Sequence, residues 1–432
     1  MIKIDRNLFR FMSIGVMFAF LTYFWTELRG DDQLAVIGSF HLHMEDVAAL
    51  FCFLGLLQEK KDYSRLNIQR ICIAVILILA LFSLMVGSIS DVFNAFYNFR
   101  TRLVVLFFLS YVLLSGKYVR PINTYLTPII AITFLFLGIF ILRTIFGATL
   151  FLNPGTFAYL NIASLAYRPL NADSVLFLSF SFFLFVQLSL YNINRRQRIL
   201  FGLLAISVIL VILFTRQRTV TIACFSALAA FLIWEPKLLR QNLVAQLIFI
   251  FGISVAAFGF LGRLFDVVPE SVVRAFGQTG TLEARIGIWK SAIYGVFDNW
   301  DLPMRLFGRP SSDALDIVTN LGLWKYSVHS SYVATLLNFG LIGSFFWALV
   351  CLVTFFQLGL GRHSLLSGEL GLKRNVAFAW LIILLIYGFS YEWRDASGFF
   401  LAMCVACAQR ISTGDKNAPA IALSFGRPQR ND

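Results

Sequence analysis

Acid–base and anion-binding chemistry in this chain rests on one histidine and a few arginines. His329 stands in "KYSVHSSYVATLLNFGLIGSFFWALV", residues 325–350, where a basic, hydroxyl-rich stretch meets a long run without a charge. If a helix begins at Ser330 or Ser331, its positive end lies beside the imidazole and favours the neutral ring, which accepts a proton near neutral pH. The bland reading of the same position is a histidine that anchors a helix at a membrane interface. The arginines come next. "TRQRT", residues 215–219, packs Arg216 and Arg218 into a tight turn between two apolar runs, and Arg285 flanks the apolar face of "TLEARIGIWKSAIYGVF". Guanidinium groups bind phosphate oxygens bidentately, and at a membrane surface the natural target is a lipid phosphate or pyrophosphate. Arg143 and Arg168, taken singly, read as arginines that snorkel to headgroups.

Other clusters carry weaker signals. "HLHMED" places His41 and Glu45 four residues apart, on one face of an expected helix, with His43 and Asp46 beside them. Ionisable groups inside a span suggest a proton pathway, whereas near the interface they are simply solvated or paired, so their role stays open. Glu27, Asp31 and Asp32 offer adjacent carboxylates of the kind that suit Mg2+ or Mn2+, but an acidic doublet in a short loop is as readily explained by solvation. Cys404 and Cys407 have redox or metal spacing, yet in an apolar helix they read as small packing residues. Serine-hydrolase, phosphate-loop and zinc-protease motifs are absent from the sequence. No metal and no cofactor is expected.

The elements that must position these residues are membrane helices. Apolar residues make up 59% of the 432 and charged ones only 14%, with a mean hydropathy of +0.78, far more apolar than a soluble domain of this length. Apolar runs of membrane-crossing length recur near 11–25, 34–57, 71–89, 103–116, 127–146, 172–191, 199–214, 219–234, 243–262, 332–356, 376–391 and 397–409. The expectation is an all-α polytopic protein of about twelve spans. Lys3, Arg6 and Arg10 precede the first run like the start of a signal peptide, but no small-residue cleavage site follows Trp25, so the run reads as a retained helix. With both termini cytoplasmic, the inner segments hold 21 of the 36 Lys and Arg but 7 of the 23 Asp and Glu. That bias is the positive-inside pattern, and it explains the basic balance without nucleic acid. His329 is then the only histidine in a loop on the outer side, since His363 falls inside and His41 and His43 fall within the second run.

The domain layout follows. Residues 1–262 hold spans one to nine, 263–331 form a large outer loop, 332–410 hold spans ten to twelve, and 411–432 form a cytoplasmic tail. Connections this long are usually functional or disordered. Within the loop, Leu282, Ile286, Trp289, Ile293 and Val296 form one stripe of an amphipathic surface helix, with Thr281 as its cap. "FDNWDLPMRLFGRPSSD" then supplies breakers.

An outward "TRQRT" turn, then "RIGIWKSAI", then "LFGRP", then "HSSYVATLLNFGLIG" opening the next span: this order resembles the bacterial O-antigen polymerase and O-antigen ligase superfamily over residues 199–356. The resemblance implies a GT-C type glycosyltransferase in the inner membrane, acting at the periplasmic face on glycan linked to undecaprenyl pyrophosphate. It implies that Arg285, with one or both of Arg216 and Arg218, holds the donor pyrophosphate. His329 would be the general base on the acceptor hydroxyl, in a metal-independent, inverting displacement. The histidine is followed by Ser330 where many relatives have Asn, and the paired Arg-x10-Gly motifs of some polymerases are missing. "GRPSSD" and the fairly short loop favour a polymerase of exopolysaccharide, capsule or O-antigen over a ligase acting on lipid A core. Expected partners are the lipid-linked oligosaccharide, membrane lipid, a flippase and a chain-length regulator. The rival class is a lipid-linked oligosaccharide transporter, which would show repeats and polar residues through its depth.

Overall fold

The computed structural model describes residues 11–29, 33–37, 40–58, 67–99, 102–115, 122–147, 169–191, 194–215, 217–234, 280–311, 317–319, 322–324, 329–360, 372–393 and 395–413. The first part holds α1 (Phe11–Arg29), the antiparallel pair β1 (Gln33–Ile37) and β2 (Phe40–His43), α2 (Met44–Gln58), α3 (Ile68–Ser90), α4 (Val92–Phe99), α5 (Arg102–Ser115) and α6 (Asn123–Phe146). Next come α7 (Ala172–Tyr191), α8 (Arg195–Phe214) and α9 (Arg218–Trp234). The connection before the next membrane-length helix supplies α10 (Gly280–Asp298), α11 (Leu302–Phe307) and an antiparallel pair, β3 (Ile317–Thr319) with β4 (Gly322–Trp324). The chain closes with α12 (Ser331–Leu360), α13 (Arg374–Ser390) and α14 (Asp395–Thr413).

This is a helical membrane protein. Among the described residues, six helices are long and apolar enough to cross a bilayer: α1, α3, α6, α7, α8 and α12. Shorter apolar helices lie within α5, α9, α13 and α14. The outward faces agree with lipid as solvent, since α3 exposes Ile78, Leu81, Met85 and Ile89, and α8 exposes Leu203, Leu210 and Phe214. The ninth apolar run, 243–262, lies outside the described residues.

α7 is the hub, buried along most of its length. Phe180 stacks on Phe400 of α14, and Phe177 packs edge-on against Phe20 of α1 and Phe136 of α6. Trp380 of α13 closes the same cluster and donates its indole N–H to Phe180 O at 2.9 Å. Cys404 sits in α14 with its sulfur 3.1 Å from Ala377 O, so this half of the "CVAC" pair packs helix against helix. All six cysteines are buried and none is in a disulfide.

Two expectations need correction. The second apolar run is not one helix, because Gln33–Ile37 pairs antiparallel with Phe40–His43 and α2 begins only at Met44. His41 therefore lies on β2 and shares no helix face with Glu45. Asp46 accepts a hydrogen bond from His43 N–H at 2.8 Å, the back-reaching half of a capping box that fixes the start of α2. In α10 the helix is present from Gly280, so Thr281 is inside it rather than at its cap. The buried line runs Ile288, Ala292 and Val296, with Trp289 beside it, whereas Ile286 and Ile293 are each 37% exposed. The stripe read from the sequence is thus turned part of the way toward solvent or lipid.

Candidate functional site

The first turn of α12 is held by the turn between α13 and α14. Ser331 N–H donates to Tyr391 O at 3.2 Å, and Ser331 Oγ donates to the same oxygen at 3.1 Å. That hydroxyl also accepts from Trp393 N–H at 2.8 Å, and Ser330 Oγ donates to Gly388 O at 3.3 Å. The two serines after the histidine thus satisfy backbone groups at a buried helix start. His329 precedes them, half-buried, at φ 51°. A positive φ is uncommon outside glycine and costs about 1 kcal/mol or more, so the surrounding contacts hold this residue in a strained conformation.

Arg285 arrives at the same turn from α10. Its Nη1 donates to Ser390 O at 3.0 Å, and its Cζ lies 5.0 Å from the centre of the Tyr391 ring. The ring face attracts the cation, and among the described residues one hydrogen bond of the five available is used. Tyr391 also stacks on Tyr387 at 4.8 Å. The Tyr387 hydroxyl donates to Asp173 Oδ1 at the start of α7.

The "TRQRT" turn reaches this junction through Gln217. Its amide donates to Leu170 O at 3.0 Å, and its carbonyl oxygen lies 3.5 Å from the Tyr391 hydroxyl. Arg218 opens α9 and is half-buried, while Arg216 lies outside the described residues. Three stretches remote in sequence, around residues 217, 285 and 329–331, therefore converge on Tyr391. The residue types at their core were legible, but Tyr391, Gln217 and Asp173 were not singled out as parts of a site. The signal for Gln217 was its place inside the quoted turn; for Tyr391 it was only the polar end of an apolar run.

Beneath the junction lies a buried ion pair. Arg143, 2% exposed, bonds Glu27, 0% exposed, through Nη1 to Oε1. It also donates to Glu27 O at 2.7 Å and Pro169 O at 3.0 Å. The second Glu27 oxygen accepts from Asn171 N–H at 2.8 Å and from the Ser174 hydroxyl. Arg143 is thus a structural tie between α1, α6 and α7 and does not snorkel. The Glu27 carboxylate is fully engaged, so it is not placed to ligate a metal with Asp31 and Asp32, which lie outside the described residues together with Arg168.

The arrangement offers a cation seated on an aromatic ring and an imidazole flanking the start of a helix, at one end of the bundle. Such an end suits an anionic, hydroxyl-bearing ligand. No family model matches the chain, and no curated protein matches it significantly.

Proposed function

We propose that this protein polymerises a bacterial surface or secreted polysaccharide, as a glycosyltransferase of the inner membrane with about twelve spans, both termini cytoplasmic and the Tyr391 end facing the periplasm. The donor is glycan on undecaprenyl pyrophosphate and the acceptor a sugar hydroxyl. The observation that carries this reading is the seating of Arg285 on Tyr391, against the turn that also clamps the helix following His329.

The chemistry needs two things at that end. Pyrophosphate leaves readily once its developing charge is met, which falls to Arg285, with Arg216 and Arg218 as further phosphate-binding groups. The acceptor hydroxyl must lose its proton as its oxygen bonds to the anomeric carbon; the ring of His329 takes that proton, and the breaking C–O electron pair leaves with the pyrophosphate. Direct displacement inverts the anomeric centre. Membrane lipid, a flippase that supplies the donor and a chain-length regulator are the proposed partners.

The test is a reaction of purified full-length protein with lipid-linked repeat units alone. A ladder of longer lipid-linked glycans is the expected result. Product formed only after lipid A core is added would make the protein a ligase instead. Movement of intact lipid-linked repeat across vesicles without any glycosidic bond formed would make it a transporter.

A further inference from the structure

The lipid-facing stripe of α3 runs to the end of that helix and does not stop there. Ile78, Phe82, Met85 and Ile89 follow one another at helical spacing, and all four are exposed. Asp91 then interrupts the helix in an extended conformation, φ −154° and ψ 101°. Its carboxylate accepts from Asn94 N–H at 3.0 Å and from the Asn94 amide at 2.6 Å, which caps α4 and starts it at once. α4 lays Ala95 and Phe99 on the bundle and turns Val92, Phe93 and Phe96 away from it, Phe93 at 84% exposure. Asn94, also exposed, lies on the remaining side. This short helix therefore has a protein-facing edge, an open apolar face and a polar edge.

The end of α3 belongs to the same end of the bundle as Tyr391. After α11 the chain turns at Gly308 and lies against α3 and α12, beside a break in α12 at Gly340, φ 64°. Arg309 N–H donates to Leu337 O at 3.1 Å, and Ser311 N–H donates to Ser83 O at 3.2 Å. Ser83 lies in the last third of α3, and Leu337 lies in the first third of α12, whose Ser331 hydroxyl meets Tyr391 O. At 1.5 Å per residue α3 is about 34 Å long, against a hydrocarbon core of roughly 30 Å. α4 thus begins where the hydrocarbon ends. An apolar face beside a polar edge suits that boundary, whereas water around Phe93 would be unfavourable.

We propose that α4 is an interfacial helix, with Val92, Phe93 and Phe96 seated in the bilayer where headgroups meet acyl chains and Asn94 turned to water. The occupant of the open face is lipid, because that face continues the lipid stripe of α3, with only Ser90 and Asp91 between Ile89 and Val92. The neighbouring Tyr391 end of the bundle then stands at headgroup height. The inference depends neither on the reaction assigned to that end nor on which leaflet it meets.

The test puts a nitroxide label on the full chain in phosphatidylcholine vesicles, at Phe93→Cys, Asn94→Cys or Ile78→Cys, with Val92→Cys as a second position on the open face. Collisions of the label are measured with oxygen, which partitions into the bilayer, and with a water-soluble nickel chelate. The native cysteines are all buried, and wild type taken through the same labelling gives the background. All four positions are exposed, so each variant should unfold at the wild-type temperature. The labels at 92 and 93 should favour oxygen, at a depth between the lipid phosphates and the label at 78. The label at 94 should favour the nickel chelate several-fold more than the label at 93. Labels at 92 and 93 that meet the chelate as freely as the one at 94 would place the face in water. Labels slowed and shielded from both reagents would place it against protein, with cross-linked pairs marking a second copy. A depth equal to that at 78 would make α4 part of a span. Any of these three results overturns the proposal.

Discussion

Arg285 spends its contacts on a backbone oxygen and a ring face, so its substitution separates charge from platform. Arg285→Lys keeps the charge but loses the planar fork and fits the ring and a phosphate less well. Loss of one such donor to a developing oxyanion is worth roughly a hundredfold to a thousandfold in turnover, and Arg285→Ala is expected to fall in that range in a polymerisation assay while the protein still inserts and folds. Tyr391→Phe keeps the ring and should stay near wild type, whereas Tyr391→Leu removes a contact of about 0.5–1 kcal/mol and should lower affinity for the lipid-linked donor a few-fold. The Glu27–Arg143 pair behaves differently. Removing one partner strands a buried charge at a cost of about 3–5 kcal/mol, so Arg143→Met should lower the unfolding temperature sharply and Glu27→Leu with Arg143→Met should recover much of it. At this scale the sequence shows which groups can hold an anion or move a proton. It hides which arginine is structural, because Glu27 and Arg143 are 116 residues apart and only folding pairs them.

Elements decide where the strain sits. His329 is held at positive φ directly before a helix whose start is fixed by Ser330, Ser331, Tyr391 and Trp393. Glycine adopts that conformation freely, so His329→Gly is expected to raise the unfolding temperature while abolishing polymerisation, the pattern of a residue kept for chemistry at the expense of stability. Gly340→Ala carries the opposite expectation, since its Cβ would drive into the backbone of the residue 306–308 turn; it should destabilise the fold and separate that turn from α12. Helix positions were legible because apolar runs of this length admit little else in lipid. The pairing of Gln33–Ile37 with Phe40–His43 was missed because a short apolar stretch reads alike as strand or helix end, although Gly38 and Ser39 in the sequence between them are turn formers. The stripe of α10 was misread for a related reason. Apolar residues occur on more than one side of that helix, at Ile286, Ile288, Ile293 and Phe297, and spacing alone does not choose the face that packs on protein.

Across the whole molecule, one end of the bundle carries a continuous polar network. The last turns of α1 and α6, the starts of α7, α9 and α12, and the turn between α13 and α14 are joined by hydrogen bonds running from Glu27 to Ser331. Each of these positions falls on the outer side in the orientation drawn from the positive-inside bias. Alkaline phosphatase fused within residues 147–170 should therefore be active and a fluorescent protein fused at the C-terminus should glow; the reverse pattern would turn the molecule over. The convergence on Tyr391 was beyond sequence reading, because it depends on how α9 packs on α13 and how α10 reaches the same turn.

The most direct measurement is turnover of lipid-linked repeat units by purified wild type, Arg285→Ala, His329→Ala and the double variant at saturating donor. Groups acting on one displacement are strongly non-additive, so each single variant should lose about a hundredfold or more and the double variant should be little worse than either. Losses that multiply in the double variant, or long-chain product from either single variant at the wild-type rate, would contradict a shared site.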